Sequence, residues 1–265
     1  MNSASKKAIL VVSFGTSYEN TRKLTIEAIE HDIADAFPAC PTYRAWTSKM
    51  IIAKLKKRDG LTIHTVKEAL EQMLLDGITD VIVQPTHVIN GIENDQMKAD
   101  ALSFRDRFSS IVFGNPLLTT EEDNQAIVRG VADEFRDMEP DTALVLMGHG
   151  TEHYANTVYA ALDYRFKDTG HKNIFLGTVE AYPALDSLLR AADSFHPKKI
   201  VLAPFMIVAG DHAQNDLAGA DPDSWMNRLS SEGYEVTPVL KGLGEYPQVR
   251  QILVEHVQQA MNASI

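Results

Sequence analysis

The sequence predicts an α/β fold made of two similar, doubly wound parallel-sheet domains with a cleft between them. Apolar, β-branched runs alternate with longer amphipathic stretches along the whole chain, a pattern typical of parallel sheets covered by helices on both faces. The two halves of the chain also resemble each other segment by segment in the same order, which indicates an internal duplication. At 265 residues, 45% of them hydrophobic and 23% charged, the chain is long enough for two moderate cores.

The individual elements follow from hydrophobic periodicity and turn residues. Strands are predicted at 8–14, 42–46, 80–85, 110–114, 143–147, 174–179, 199–208 and 235–240. Helices are predicted at 20–37, 65–76, 121–138, 184–195 and 247–261, and the basic cluster Lys54 to Arg58 is typical of the last turn of another helix. The helix end RDMEPD joins the halves, so we predict an N-terminal domain over 1–135 and a C-terminal domain over 136–265. No Ser- or Gly-rich linker separates them, so we expect close packing.

Two pairs of segments carry the internal resemblance. KAILVVSFGTS near the start resembles DTALVLMGHGTEH, which aligns Phe14 with His149. TDVIVQPTHVINGIEND resembles KKIVLAPFMIVAGDHAQND, which places Glu93 opposite His212. The two domains should therefore share one strand order, with related side chains at corresponding strand ends.

Composition excludes several classes of protein. The formal net charge of −11 argues against a nucleic-acid partner, and no apolar run reaches the roughly 18 to 20 residues that span a bilayer. Cys40 is the single cysteine, so neither an internal disulfide nor a thiolate metal site within one chain can form. The start, MNSASKKAILVVSFGTS, predicts a first strand instead of a signal peptide, and hence a cytoplasmic protein. Phosphate-loop and dinucleotide motifs are absent, so no organic cofactor is expected.

Three residues that follow strands of the second half can bind a metal. His149, Glu180 and His212 each come after a predicted strand, and consecutive parallel strands end at the same edge of a sheet. Two imidazoles and a carboxylate suit cobalt(II), nickel(II), iron(II) or zinc(II) and leave coordination positions open. Structural roles remain alternatives, because His149 could pack in a tight turn and Glu180 could cap a helix. His212 could be a loop residue hydrogen-bonded to Asp211 or Asp216.

Four residues of the first half are candidates for contact with a substrate. His87 and Glu93 follow the strand that corresponds to the one before His212, and could face the cleft from the other side. Ser13 and Thr16 lie in the turn SFGTS, where hydroxyls and free backbone amides can bind an anionic group.

Six segments together resemble a known family across essentially the whole chain: LVVSFGTSY, MIIAKLKKRDG, HVINGIE, LMGHGTEH, VEAYP and MIVAGDHAQND. They resemble the anaerobic cobaltochelatases of cobalamin biosynthesis, the CbiK type within the class II chelatase superfamily. The resemblance implies two chelatase-like domains around a cleft and insertion of cobalt(II) into sirohydrochlorin without ATP. It also implies that His149, Glu180 and His212 bind the metal and that His149 can accept a proton. The family more usually has an acidic residue where this chain has Ile92.

These expectations leave alternatives for the metal and for turnover. Iron or nickel could replace cobalt, and iron insertion would make the protein a sirohydrochlorin ferrochelatase producing sirohaem. The same residues would also serve a metal or tetrapyrrole carrier that does not turn over. We expect the carboxylates of the tetrapyrrole to be received by local donors, including Arg44 and Lys49. The sequence is compatible with a homo-oligomer.

Overall fold

Two parallel β-sheets, each of four strands, form the centre of the described chain, which covers residues 5–263 in a computed structural model. The strands of the first sheet are β1 (Lys7–Ser13), β2 (Thr42–Trp46), β3 (Asp80–Pro85) and β4 (Ser110–Phe113), in the order β2-β1-β3-β4. Those of the second are β5 (Thr142–Gly148), β6 (Ile174–Thr178), β7 (Lys199–Pro204) and β8 (Glu235–Pro238), in the order β6-β5-β7-β8. All neighbouring strands are parallel, so the predicted α/β class with two similar sheets is confirmed.

Each predicted strand is present, and β7 falls short of its predicted range by the most. β7 ends at Pro204, whereas the apolar run continues to 208. Beyond Phe205 the chain leaves the strand β5, because the carbonyls of Met206 and Ile207 accept hydrogen bonds from Leu243 and Gly244, which follow β8. The last part of the apolar run is therefore a buried bend at the carboxyl edge of the sheet, where ligands of α/β proteins bind.

Ten α-helices lie in the described residues. They are α1 (Glu19–Leu24), α2 (Ile26–Ala36), α3 (Lys49–Asp59), α4 (Val66–Leu75), α5 (Ile92–Leu102), α6 (Glu121–Glu134), α7 (Thr157–Asp168), α8 (Leu185–Ala192), α9 (Trp225–Ser231) and α10 (Pro247–Asn262). The helices α5, α7 and α9 lie outside the predicted ranges. Within 5–263, no helix combines the length and apolar character needed to cross a bilayer.

Local side-chain chemistry sets several helix boundaries. The helix predicted at 20–37 is divided at Thr25, whose φ and ψ of −120° and −79° are not helical and whose hydroxyl donates to the Thr21 carbonyl at 2.5 Å. α4 begins with a capping box between Thr65 and Glu68. α3 carries its basic residues in the last turn, as predicted, and ends at Gly60, which has a φ of +68°.

The hydrophobic core follows the strands. In β1 and β5 the apolar side chains pointing to both faces are buried, which is expected when helices cover both sides of a parallel sheet. One cluster packs around β1 and β3, and another around β5 and β7. Each sheet thus has its own core.

The two sheets have the same topology when β1 to β4 are superimposed in order on β5 to β8. The turns after the first strands also agree, since Gly15 and Gly150 both have positive φ, +104° and +87°. The predicted internal duplication is therefore visible in strand order and in turn geometry.

The chain divides into two compact units whose boundaries differ from the predicted domains. One unit comprises residues up to 119 together with those from 249 onwards, and the other comprises 120–248. This division differs from the predicted boundary between 135 and 136, because α6 groups with the second sheet and α10 with the first. α10 is fixed there by Arg250, which donates to the Asp32 carboxylate at 2.6 Å, and by His256, which bonds the Asn115 carbonyl at 2.9 Å.

Candidate metal centre

His149, Glu180 and His212 meet at the carboxyl edge of the second sheet. His149 directly follows β5, Glu180 is the second residue after β6, and His212 is the eighth after β7. Each offers one ligand atom, and these atoms all lie within 4.8 Å of one another. The convergence predicted from the ends of parallel strands is confirmed.

The glycines around His149 are required by neighbouring protein groups. Gly150 has a φ of +87°, and a Cβ there would lie 2.8 Å from the Thr178 Cβ and 2.9 Å from the Ala181 nitrogen. A Cβ on Gly148 would lie 2.6 Å from the Tyr159 ring. The glycines on either side of His149 thus make room for the adjoining strand end and for a tyrosine ring.

The imidazoles are oriented by hydrogen bonds to Nδ1. In His212, Nδ1 lies 2.7 Å from the Asp216 carboxylate, and in His149 it lies 2.8 Å from the Gly150 carbonyl. Both partners are acceptors, so each Nδ1 carries the proton and each Nε2 keeps its lone pair. That is the tautomer in which Nε2 can bind a metal, and in His212 this Nε2 is the nitrogen nearest to Glu180.

Glu180 lies between the two histidines. Its carboxylate oxygens are 3.6 Å from His149 Nδ1 and 3.9 Å from His212 Nε2. The two imidazole rings meet edge to face with centroids 4.6 Å apart. The three side chains are 40%, 52% and 33% exposed in chain order, so an ion bound here would be reachable from solvent.

His212 stands at the start of an unusual helical segment. Residues Ala213–Leu217 form a π-helical turn, a rare conformation found often at functional sites. A Cβ on Gly219 would lie 2.2 Å from the Asn215 carbonyl oxygen, so only glycine fits where this turn ends. The turn brings Asp216 against His212, which selects Asp216 over Asp211 as the carboxylate that holds the ring.

The four first-half candidates lie at the carboxyl edge of the first sheet and differ in accessibility. Ser13 and Thr16 are each 2% exposed, and their hydroxyl oxygens accept hydrogen bonds from the Thr86 hydroxyl at 2.9 Å and the Tyr18 amide at 3.3 Å. Both hydroxyls therefore already have internal partners. Glu93, in the first turn of α5, is exposed.

His87 is in a different environment from the histidines of the metal centre. Burial lowers its pKa from 6.5 to about 4, although the Glu93 carboxylate opposes this shift. A group that charges only near pH 4 stays neutral at physiological pH.

The first unit repeats the backbone of the metal centre without its ligands. The Ser48 amide donates to the Phe14 carbonyl at 3.2 Å, as the Glu180 amide donates to the His149 carbonyl at 2.9 Å. Phe14 and Ser48 thus occupy the positions of the first two ligands.

The third position agrees with the predicted alignment. The Asp95 amide donates to the Gly91 carbonyl in the first unit, and the Gln214 amide donates to the Gly210 carbonyl in the second, both at 3.0 Å. Counting from these glycines, Glu93 stands where the second unit has its third ligand. The two units therefore share this backbone arrangement, and the three candidate ligands lie together in the second unit.

The Arg44 guanidinium is already paired with carboxylates of the protein. Its guanidinium forms hydrogen bonds to both carboxylate oxygens of Glu30 and lies 3.7 Å from Glu27. The expected contact of Arg44 with substrate carboxylates is replaced by this ion-pair cluster. Lys49 is exposed in the first turn of α3.

Comparison with known proteins identifies the family. Residues 7–262 match the profile of the cobalt chelatase (CbiK) family. The chain belongs to this family. A sirohydrochlorin cobaltochelatase of Salmonella typhimurium is 39% identical to this CbiK-family chain over 260 residues, which are 98% of each chain. The sirohydrochlorin cobaltochelatase CbiKC of Nitratidesulfovibrio vulgaris is 32% identical over 265 residues, covering 97% of this chain and 92% of the relative.

A solved structure shares the fold of this CbiK-family protein at low sequence identity. SirB from Bacillus subtilis, determined with Fe3+, superimposes with a TM-score of 0.67 at 14% identity and covers 98% of this chain and 97% of SirB. The fold is thus shared with a protein of very different sequence.

One residue of the site region escapes the sequence-based prediction. Asn156 lies just before α7, where an asparagine ordinarily suggests a helix cap, yet its side chain contacts the two loops that carry His149 and Glu180. The signal that could have drawn attention to it is only its residue type next to a helix start.

Proposed function

We propose that this protein inserts cobalt(II) into sirohydrochlorin without ATP, with the metal bound by His149, Glu180 and His212. The observation that carries the proposal is the convergence of two imidazoles and one carboxylate within 4.8 Å at an exposed sheet edge. Membership of the cobalt chelatase family and the names of the two relatives support the same reaction.

The donor set suits an ion that must be released again. Imidazole nitrogen and carboxylate oxygen bind cobalt(II) and iron(II), and three protein ligands leave positions open for water or a ring nitrogen. All three side chains are at least one-third exposed, so the ion can pass to a ligand arriving from solvent. The metal is a substrate here and leaves with the macrocycle.

Insertion also requires removal of protons. As the ion forms bonds to the ring nitrogens, two pyrrole N–H protons leave. The ring gains the two positive charges of the metal ion and loses the two of the protons, so its net charge does not change. Nε2 of His149 becomes free when the ion departs and accepts one proton, and the Glu180 carboxylate accepts the other. Both groups return these protons to water before the next ion binds.

The experiment is anaerobic, absorbance-monitored metallation of excess sirohydrochlorin by cobalt(II) and, separately, by iron(II). The variants are His149→Ala, His212→Ala and Glu180→Gln. A matched control is His31→Ala, since His31 also has a carboxylate four residues later, Asp35 at 3.4 Å, but lies on the exposed face of a helix in the other unit.

We expect many turnovers with cobalt(II), a loss of at least about 100-fold in both histidine variants, and wild-type rates for His31→Ala. Metallation that stops at one equivalent would indicate a carrier and contradict catalysis. Faster turnover with iron(II) than with cobalt(II) would contradict the metal assignment and indicate a ferrochelatase.

A further inference from the structure

We infer that Asn156 is a positioning residue that fixes the separation of His149 and Glu180 and thereby the affinity of the site for its metal. The inference rests on the proposed function only in taking these two residues as metal ligands. It concerns a side chain that lies outside the ligand set.

The two ligands are joined through their backbones at one point. The Glu180 amide donates to the His149 carbonyl at 2.9 Å, directly after the Val179 amide donates to the Gly148 carbonyl at 3.0 Å, so the two chains stay paired just beyond β5 and β6. After this bond the two chains separate into loops, one running to α7 and one to α8. The spacing of the ligand side chains then depends on what holds these loops together.

Asn156 joins the two loops with both ends of its amide group. Its Oδ1 accepts from the Thr151 backbone amide at 3.0 Å, and its Nδ2 donates to the Tyr182 carbonyl at 2.6 Å. The first partner is two residues from His149 and the second is two residues from Glu180. Only one orientation of the amide satisfies both partners, since one requires an acceptor and the other a donor.

The position of Asn156 in the helix supports a role outside helix capping. It occupies the N-cap position of α7, where an asparagine side chain ordinarily accepts from an amide of the first turn, but it makes no such bond. Both polar groups are used between the loops instead. The loops also touch closely beside this bridge, at Gly150 and Ala181.

The ligand side chains need this support because they are not buried in the core. His149 and Glu180 are 40% and 52% exposed, and the ring contact of His149 is with His212, another candidate ligand. A metal demands ligand distances of about 2.0 to 2.2 Å from these donors. When the loops move apart, closing the ligands around the ion costs conformational free energy and affinity falls.

The test compares Asn156→Asp with Asn173→Asp by cobalt(II) titration against a competing chelator, cobalt(II) ligand-field absorption and thermal unfolding. Aspartate at 156 keeps an acceptor for Thr151 and faces the Tyr182 carbonyl with a carboxylate. Asn173 is a matched control, because its Nδ2 likewise donates to a backbone carbonyl, that of Thr142 at 3.1 Å, but at the opposite edge of the same sheet. Wild type and His149→Ala define the signal of the site.

We expect Asn156→Asp to lower cobalt(II) affinity about tenfold, the lower end of the effect of residues that orient metal ligands, and to shift the absorption bands. Asn173→Asp should change neither, although both variants lose some thermal stability. If Asn156→Asp folds poorly, Asn156→Ala, which removes both hydrogen bonds without adding charge, must show the same change in affinity and spectrum. A variant at 156 that folds and binds with the wild-type affinity and spectrum overturns the inference.

Failure of the proposed function would look different. Cobalt(II) binding that depends on His149 and Asn156, without turnover of sirohydrochlorin, overturns catalysis and supports the positioning role. Wild-type protein that binds no cobalt(II), or binds it equally well after His149→Ala, overturns the metal site and the role of Asn156 together.

Discussion

Replacing Asp216 with alanine removes the carboxylate that holds His212, and we expect the site to lose metal affinity while the fold is retained. The Asp216 carboxylate lies 2.7 Å from His212 Nδ1 and fixes both the ring orientation and the tautomer. Without it the proton can move to Nε2, the nitrogen that faces Glu180, and the lone pair needed for the metal is lost from that side.

The magnitude follows from the exposure of the pair. A hydrogen bond to a charged group contributes about 1.5 to 3 kcal/mol net. Asp216 and His212 are 45% and 33% exposed, so solvent screens the interaction and the lower end applies. About 1.4 kcal/mol corresponds to a tenfold weaker cobalt(II) complex. Asp216→Asn keeps a carbonyl acceptor without the charge, and since neutral hydrogen bonds are roughly half as strong, we expect about a threefold loss.

The assay is competition between the protein and a chelator of known cobalt(II) affinity, at constant pH and without oxygen. Asp223→Ala is the control, because Asp223 is an exposed aspartate of the same unit that lies beyond the π-helical turn. The reasoning is refuted if Asp216→Ala binds cobalt(II) within twofold of wild type, or if Asp216→Asn is the weaker of the two variants.

Three further predictions concern the scaffold. The pKa of His87 is about 4 in the folded protein, against 6.5 for an ordinary histidine. The unfolded chain therefore takes up a proton first, so the stability contributed by His87 is present above pH 6.5 and is lost as the pH falls towards 4. Measured by urea unfolding, the free energy of unfolding should be about 2 kcal/mol lower at pH 5 than at pH 7.5, and His87→Met should abolish this difference. Arg44→Met leaves the Glu30 carboxylate, whose pKa burial already raises, without its partner. The substitution Arg44→Met should lower the free energy of unfolding in urea by about 2 to 3 kcal/mol and leave the KM for sirohydrochlorin unchanged. Gly150→Ala should abolish cobalt(II) binding in titration, because its Cβ has no space, whereas Gly60→Ala, also at positive φ but in open space, should cost only about 1 kcal/mol in thermal unfolding.

The sheets and the ligands could be predicted because their signals are local or follow from a general rule. Each buried strand is a short apolar run bounded by turn residues, and parallel strands end at one edge. His149 and Glu180 stand immediately after such runs, so their convergence follows from position alone. His212 is eight residues beyond its strand, but it closely follows the apolar run predicted at 199–208, so the same rule applied to it.

What sequence could not supply depends on geometry beyond the strand ends. The choice of Asp216 over Asp211 is made by a π-helical turn, which has no recognised residue pattern. The partner of Arg44 is Glu30, fourteen residues earlier and on another element. The assignment of α6 and α10 to their units was missed for a related reason, since an amphipathic pattern shows that a helix buries one face and not which sheet receives it.

The place of α10 reverses the order in which the two units can be completed during synthesis. Residues 120–248 form one unit from a continuous stretch, so all its parts have emerged once 248 has left the ribosome. The unit that contains the amino-terminal sheet still lacks α10 at that moment. Asp32 and Asn115 of that unit bind Arg250 and His256 of α10, which lie 218 and 141 positions further along the chain. Because contacts of such long sequence separation form slowly, the unit that is translated first is the last to be finished, and a released chain that ended at 248 would hold one complete unit and one open one.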